Sequence, residues 1–251
     1  HSILFSLTFL CATALSAQNP SAPLVNFEMT DASGGVIKDL TGTATITPGS
    51  KASIVSNGPL ELKALKFDGT IHGTAKLDLG KAKEKLDGFE MSYGFWVRFD
   101  SIQKQGGEIT GNDTGLGLTL NPDRKFWFEL PITGPNKLGM PGVAQLELGK
   151  WHHIAFTYSI DKEEAKLYLD GDLHQALTGT ELFPLKINWP EIGKFNGAMA
   201  SLKIWDRALT EEEITMVKPD DNAIKFLREK LAVLDNAEGT GEFGQRRQNS
   251  G

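Results

Sequence analysis

The side chains best suited to chemistry in this 251-residue chain are aromatic ones set beside polar ones. Trp127 stands between Phe126 and Phe128, with Lys125 and Glu129 as its nearest polar neighbours. Successive side chains on a strand point to opposite faces, so two core-facing phenylalanines would turn Trp127 and Glu129 outward together. An indole face stacks on the C–H surface of a sugar ring, and a carboxylate accepts hydrogen bonds from its hydroxyls. Trp127 and Glu129 are therefore candidate carbohydrate-binding residues. The competing reading buries Trp127 under a terminal helix or an edge loop. Trp189, on a loop just before Pro190, is a second stacking candidate.

Other reactive types are poorly arranged for catalysis. His152 and His153 are adjacent, so on a strand they diverge and cannot hold one metal as a neighbouring pair. His72 and His174 have no ligand-like spacing, and the histidines read as structural. The single cysteine, Cys11, lies in an apolar N-terminal stretch. The rest of the chain thus offers no disulfide, Cys-ligated zinc or cysteine nucleophile. No G-x-S-x-G, H-E-x-x-H or phosphate-binding glycine loop occurs. Glu61, Glu147, Glu191 and Asp206 stand alone in the sequence. No catalytic residue is assigned, and an enzyme is not expected.

Strands must position these residues. Met91, Tyr93, Phe95, Val97 and Phe99 share one face; so do Leu116, Leu118 and Leu120, then Phe126, Phe128 and Leu130, then Ile154, Phe156 and Tyr158. Period-2 alternation over short runs predicts antiparallel strands with one wet face. Asp68-Gly69, Gly106-Gly107, Asn121-Pro122-Asp123 and Asp170-Gly171 punctuate the runs, and an Asp-Gly pair between apolar runs predicts a tight hairpin. No long helical pattern falls between strands, so two facing sheets are expected rather than a βαβ unit. Thr210-Glu211-Glu212-Glu213 is a capping box that opens a short helix before Pro219. Ile224, Leu227, Leu231 and Leu234 form one apolar stripe, predicting a second helix over Asp221–Asp235. The polar, glycine-containing stretch 239–251 reads as a linker.

Several of these segments resemble the laminin-G-like, concanavalin A-like jelly-roll family, which is related to pentraxins. Ala64-Leu65-Lys66-Phe67-Asp68-Gly69 resembles its "ALxFDG" strand and turn, and Met91–Val97 its long strand ending in aromatic-Trp-Val. Gly149-Lys150-Trp151-His152-His153-Ile154-Ala155 is similar to "GxWHHVA", and Leu167-Tyr168-Leu169-Asp170-Gly171 to "LYVDG". Phe195-Asn196-Gly197 followed by Ile204–Thr210 and Glu213-Ile214 resembles its closing motif. The resemblance covers 24–217. It implies an all-β jelly-roll sandwich of two antiparallel sheets with a short C-terminal helical extension, and it implies that Leu24–Met29 lies beside Ser201–Leu209. Trp96, Trp151 and Trp205 fall on motif positions that pack. The Gly111-Asn112-Asp113-Thr114-Gly115 turn is similar to the turn that supplies calcium ligands in pentraxins, which makes Asn112 and Asp113 candidate metal ligands. Calcium needs about six or more oxygens, yet the stretch matching the second acidic loop, Ile192–Gly197, carries Lys194. Glycosidase relatives place Glu-x-Asp-x-x-Glu on one strand; this chain lacks it.

The expected division is a signal peptide over 1–17, a spacer over 18–23, the jelly roll over 24–217 and a helical extension with a flexible tail over 218–251. Residues 1–26 contain no Lys, Arg, Asp or Glu, and the apolar Ile3–Leu15 with the small residues of the overlapping Ala12–Ala17 resembles the apolar core and cleavage region of a secretory leader. That apolar run is too short to span a bilayer of about 30 Å. The expected location is secreted, periplasmic or at the cell surface. The net charge of −6 leaves no cationic surplus to neutralise phosphates, so nucleic acid is excluded as a partner. A 40% share of hydrophobic residues is enough for a core, and 27 glycines suit many turns. The expected function is non-catalytic binding of a glycan, with calcium as a possible aid. A surface-protein partner for an adhesion or scaffold module and a divergent polysaccharide hydrolase or lyase are the alternatives.

Overall fold

The computed structural model describes residues 22–30, 32, 34–86, 88–104, 106–110, 117–130, 138–142, 145–179, 182, 184 and 190–217. The strands are β1 (Val25–Phe27), β2 (Ile37–Lys38), β3 (Thr45–Pro48), β4 (Ser53–Val55), β5 (Ala64–Asp68), β6 (Ala75–Asp78), β7 (Glu90–Ser101) and β8 (Gly107–Thr110). They continue as β9 (Gly117–Leu120), β10 (Phe126–Leu130), β11 (Leu138–Pro141), β12 (Trp151–Ser159), β13 (Glu164–Leu169), β14 (Asp172–Thr178), β15 (Glu191–Lys194) and β16 (Asn196–Trp205). Two short helices, α1 (Lys83–Leu86) and α2 (Glu211–Val217), and 3-10 turns over Pro59–Glu61 and Gly80–Ala82 complete the described elements.

The strands form two eight-stranded sheets. The first runs β14-β13-β12-β7-β16-β5-β4, with β1 also paired to β16. The second runs β11-β10-β9-β8-β15-β6-β3-β2. Every pairing is antiparallel. The alternation read from the sequence has its cause here. Tyr93, Phe95, Ile154 and Phe156 from one sheet meet Leu118, Leu120, Phe126 and Phe128 from the other, all essentially sealed from solvent. Phe128 and Phe156 touch across the layers with ring centroids 4.2 Å apart. Phe195, between β15 and β16, carries the chain from one sheet to the other and packs on Phe67 and Phe99 at 5.2 and 4.7 Å. Full burial of a phenylalanine contributes about 1.5–3 kcal/mol, so this aromatic seam is a main adhesive between the layers.

The first and last strands pair as expected, with Val25 opposite Ile204 and Phe27 opposite Leu202. β16 pairs with β5 through Asn196–Met199 and then with β1 through Leu202–Ile204. The change of partner coincides with a register shift in its pairing with β7, and Ser201 there adopts φ 52°. This extra residue lets Met199 and Leu202 both face the core.

The Asp-Gly expectation holds at one site and fails at the other. Asp170 and Gly171, at φ 55° and 89°, make the tight turn that joins β13 to β14. Asp68-Gly69 is not a hairpin turn, because β5 belongs to the first sheet and β6 to the second. Its Asp68 carboxylate instead accepts from the Thr70 N–H and hydroxyl, which turns the chain out of one layer toward the other. The leader expected over 1–17 and the extension over 218–251 lie outside the described residues. No helix among the described residues is long and apolar enough to cross a membrane.

Candidate functional site

The two outer faces of the sandwich differ. The outer face of the first sheet is covered in two places by the chain itself. Leu209, Ile214 and Val217 of the α2 region pack on Ala155, Tyr168 and Trp205. Leu60, in a 3-10 turn over Pro59–Glu61, packs with Trp96 against Ala64, Ala198 and Ala200. The expected packing roles are seen: Trp205 is 2% exposed and Trp96 8%, while Trp151 is half-buried beneath Arg98, whose guanidinium carbon is 5.1 Å from the ring.

The capping box fastens this cover. The Glu213 N–H donates to Thr210 Oγ1 at 3.3 Å, and the Thr210 N–H donates to Glu213 Oε2 at 2.9 Å. Arg207 completes a forked pair with the same carboxylate. That guanidinium, with help from the Thr210 N–H, outweighs partial burial and holds the Glu213 carboxyl below its ordinary range. Beneath, the Ser92 hydroxyl donates to the Arg207 carbonyl and accepts from the Leu209 N–H.

A polar groove of roughly 240 Å³ remains on this side, between β12, β13 and the start of α2. Within it Lys166 Nζ lies 2.9 Å from Glu164, which raises its pKa, and burial raises that of Tyr168.

The histidine pair is structural in the way its spacing predicts. His152 Nδ1 meets Asp170 Oδ2 at 2.8 Å, and the His153 N–H donates to Asp170 Oδ1 at 2.8 Å. His153 lies on the opposite face, edge-on to Trp96 at 5.2 Å between centroids. One carboxylate thus ties the start of β12 to the β13–β14 turn. Burial lowers the pKa of His174.

The outer face of the second sheet is open and hydrophilic. Lys38, Thr47, Lys76, Asp78, Glu191 and Lys194 are exposed on it. Trp127 stands on this face, 37% exposed, while Phe126 and Phe128 are buried. The outward orientation read from the alternation is therefore the observed one; the terminal helix of the competing reading lies outside the described residues. Glu129 shares its face, half-buried, and its carboxylate lies over Gly117, where a Cβ would come 3.8 Å from Oε2. Trp127 pairs with Thr119 on β9, Thr119 with Glu108 on β8, and Glu108 with Lys194 on β15. On the other side Trp127 faces Pro141, exposed on edge strand β11. Glu108 and Lys194 are ion-paired at 3.8 Å.

Thr119, Glu108 and Lys194 were not singled out from the sequence. Thr119 was findable, because it alternates with Leu118 and Leu120 as Trp127 does with its phenylalanines. Glu108 and Lys194 were hidden by bulges: Ile109 and Thr110 are both buried after Glu108, and Gly193, at φ 84°, faces the Phe67 ring just after buried Ile192. Those irregularities break the count that would have put both residues outside.

Trp189, Asn112 and Asp113 lie outside the described residues. Among the described residues no three His, Cys, Asp or Glu side chains cluster as metal ligands would.

Over residues 71–215 the sequence matches the concanavalin A-like lectin/glucanases superfamily in its laminin G form. The chain belongs to this family. Solved structures similar to this laminin G-type domain include the binding domain of Paraclostridial Mosquitocidal Protein 1, with a TM-score of 0.63 and 17% identity over 78% of this chain and 52% of that one. A botulinum neurotoxin type C structure, whose cell entry is described as dependent on two ganglioside molecules, gives a TM-score of 0.63 and 15% identity over 81% and 51%. Trypanosoma rangeli sialidase, in complex with 2,3-difluorosialic acid, gives 0.60 and 18% over 81% and 34%. The domain thus spans about half the length of the two toxin structures and a third of the sialidase. No curated protein matches the sequence. At these identities the likeness is one of fold.

Proposed function

We propose that this laminin G-type domain is a non-catalytic carbohydrate-binding module, and that the outer face of the second sheet is its binding surface. The observation that carries the reading is Trp127: a large aromatic side chain, 37% exposed, on a mostly polar sheet face, whereas the outer face of the other sheet is partly covered by the chain's own turns. An exposed indole with hydroxyl, carboxylate and ammonium groups in register beside it is the equipment for a sugar ring: apolar C–H surface on the aromatic, hydroxyls on the polar groups. Binding without bond cleavage suits the carboxylates, since Glu108 is engaged by Lys194. The similar neurotoxin structure, whose cell entry is described as dependent on two ganglioside molecules, supports a recognition role for a sandwich of this shape. The leader-like residues 1–17 support a secreted, periplasmic or surface location.

A glycan array probed with wild type and Trp127→Ala, each with and without EDTA, tests this. The expected result is binding to at least one glycan that Trp127→Ala weakens about 30-fold, the factor for an aromatic anchor contributing ~2 kcal/mol. EDTA-sensitive binding that survives Trp127→Ala would move the site to the Asn112–Asp113 turn and a calcium ion. Failure of every glycan would overturn the proposal in favour of a surface-protein partner.

A further inference from the structure

We infer that the free edge of β14 is a self-association surface, where a second copy of this chain adds its own β14 antiparallel and joins the first sheets of two molecules into one. The pairing does not depend on what the open face of the second sheet holds. A strand at a sheet edge carries a row of unpaired backbone donors and acceptors, and soluble proteins blunt such edges by shortness, lysine or proline. Among the described residues, three sheet ends are blunted in this way. β4 has three residues, β2 has two with exposed Lys38 as one of them, and β11 ends in exposed Pro141. The fourth end is β14, seven residues long, and its stretch 173–178 contains no Lys, Arg, Asp, Glu or Pro.

The ladder to β13 shows which groups the edge offers. Antiparallel partners alternate between hydrogen-bonded and non-hydrogen-bonded pairs. The Gly179 N–H donates to the Glu163 carbonyl at 3.1 Å, so Leu177 and Gln175 also bond toward β13. Ala176 and Thr178, both exposed, therefore aim their N–H and C=O groups at the free edge.

The strand suits a copy of itself. With a two-fold axis at Ala176, that residue faces its own counterpart and exchanges both backbone hydrogen bonds with it, an isologous contact. Leu177 then lies opposite Gln175 of the second copy, and the two Leu177 side chains become diagonal neighbours. Leu177 is half-buried and packs on the rim of the core, so its counterpart continues that core across the axis. Charge does not oppose the contact. The two Asp172 carboxylates stand eight residues apart along the pair, about 27 Å at ~3.4 Å per residue, well beyond screening distance. Beside the edge, Lys166 and Glu164 pair with each other.

The axis of such a pair is perpendicular to the sheet. Both second sheets then lie on the same side of the joined first sheet, and the two Trp127 faces point the same way. A flat array of ligands would meet two faces at once.

Sedimentation velocity on the full chain, from micromolar to submillimolar concentration, tests this. Wild type should show a concentration-dependent monomer–dimer equilibrium. Ala176→Lys and Ala176→Glu each set like charges face to face across the axis and should weaken the dimer about tenfold or more. Mixed in equal amounts, the two variants set opposite charges together and should dimerise again. Ala176→Pro, which removes a donor that β13 does not use, should also give a monomer. A wild type that stays monomeric throughout would overturn the proposal and leave the edge to an extended segment of another protein. Dimers that persist in all three variants would overturn it by placing the contact elsewhere. A mixture that stays monomeric, although both variants melt like wild type, would overturn the two-fold pairing at Ala176.

Discussion

Asp39 offers a perturbation whose size follows from geometry. Its side chain, in a residue only 4% exposed, gathers the start of the fold. One oxygen accepts from the Thr43 and Ala44 N–H groups at 2.7 and 2.8 Å; the other accepts from the Thr41 and Asn26 N–H groups at 3.0 and 3.3 Å and from the Thr41 hydroxyl. Asp39→Ala strips all of these. Thr41 is exposed and Thr43 half-buried, so their donors recover water. Ala44 is buried and Asn26 half-buried, and their N–H groups lose a charged acceptor with little replacement. At about 1–3 kcal/mol for each stranded donor, the expected loss is ~3–5 kcal/mol. For a domain of this size that is roughly 10 °C in Tm. Asp39→Asn keeps one acceptor oxygen and should lose about half as much.

Acidity adds a second requirement. Burial pushes the Asp39 carboxyl up, but the hydrogen bonds from Thr41, Ala44 and Asn26 together outweigh it and hold the group below its ordinary value of 3.8. The unfolded chain therefore takes up this proton at a higher pH than the native one. The stabilisation is fully present above that ordinary value and is lost as pH falls through the lower native one. Urea unfolding followed by tryptophan emission, at neutral pH and in a series below pH 4, reads both effects. A loss under ~1 kcal/mol for Asp39→Ala at neutral pH, or a gap between wild type and variant that stays constant into acid, would refute the account.

Two further predictions concern the packing that leaves one face open. Ser92→Ala removes a fully buried hydroxyl that bridges the Arg207 carbonyl and the Leu209 N–H, and should cost about 2–3 kcal/mol in the same unfolding assay. Ser92→Thr or Ser92→Cys that unfolds no differently from Ser92→Ala would argue against the bridge. Gly193→Ala would put a Cβ 2.2 Å from the Phe67 ring at a φ of 84°, where a side chain is itself strained. A loss of about 2–4 kcal/mol or failure to yield soluble protein is expected, and an unchanged melting temperature would contradict the bulge.

Much of this architecture could be read before any coordinates. The alternation of Phe126, Trp127 and Phe128 predicted which ring would be wet, because a strand between a dry core and solvent permits only one solution. The capping box at Thr210 and Glu213 was visible for a similar reason: its hydrogen bonds close within four residues. Asp68-Gly69 misled because a turn dipeptide specifies a change of direction but not which sheet receives the next strand. The Asp170 link to both histidines and the Ser92 bridge join residues far apart in sequence, and no local pattern encodes them. Glu108 and Lys194 escaped for a different reason, since two bulges reset the inside–outside count just where the candidate surface continues.

The place of β16 in its sheet has a consequence for how the molecule comes into being. This strand lies between β7 and β5 and also receives β1, although nearly everything it binds is synthesised earlier. Until Trp205 has left the ribosome, the first sheet exists as separate pieces, β14-β13-β12-β7, β5-β4 and the lone β1, whose raw edges invite stray pairing. A premature stop anywhere upstream would therefore yield no smaller working sandwich but a split, adhesive one, and the last strand behaves as the zip that converts a bundle of hairpins into a protein.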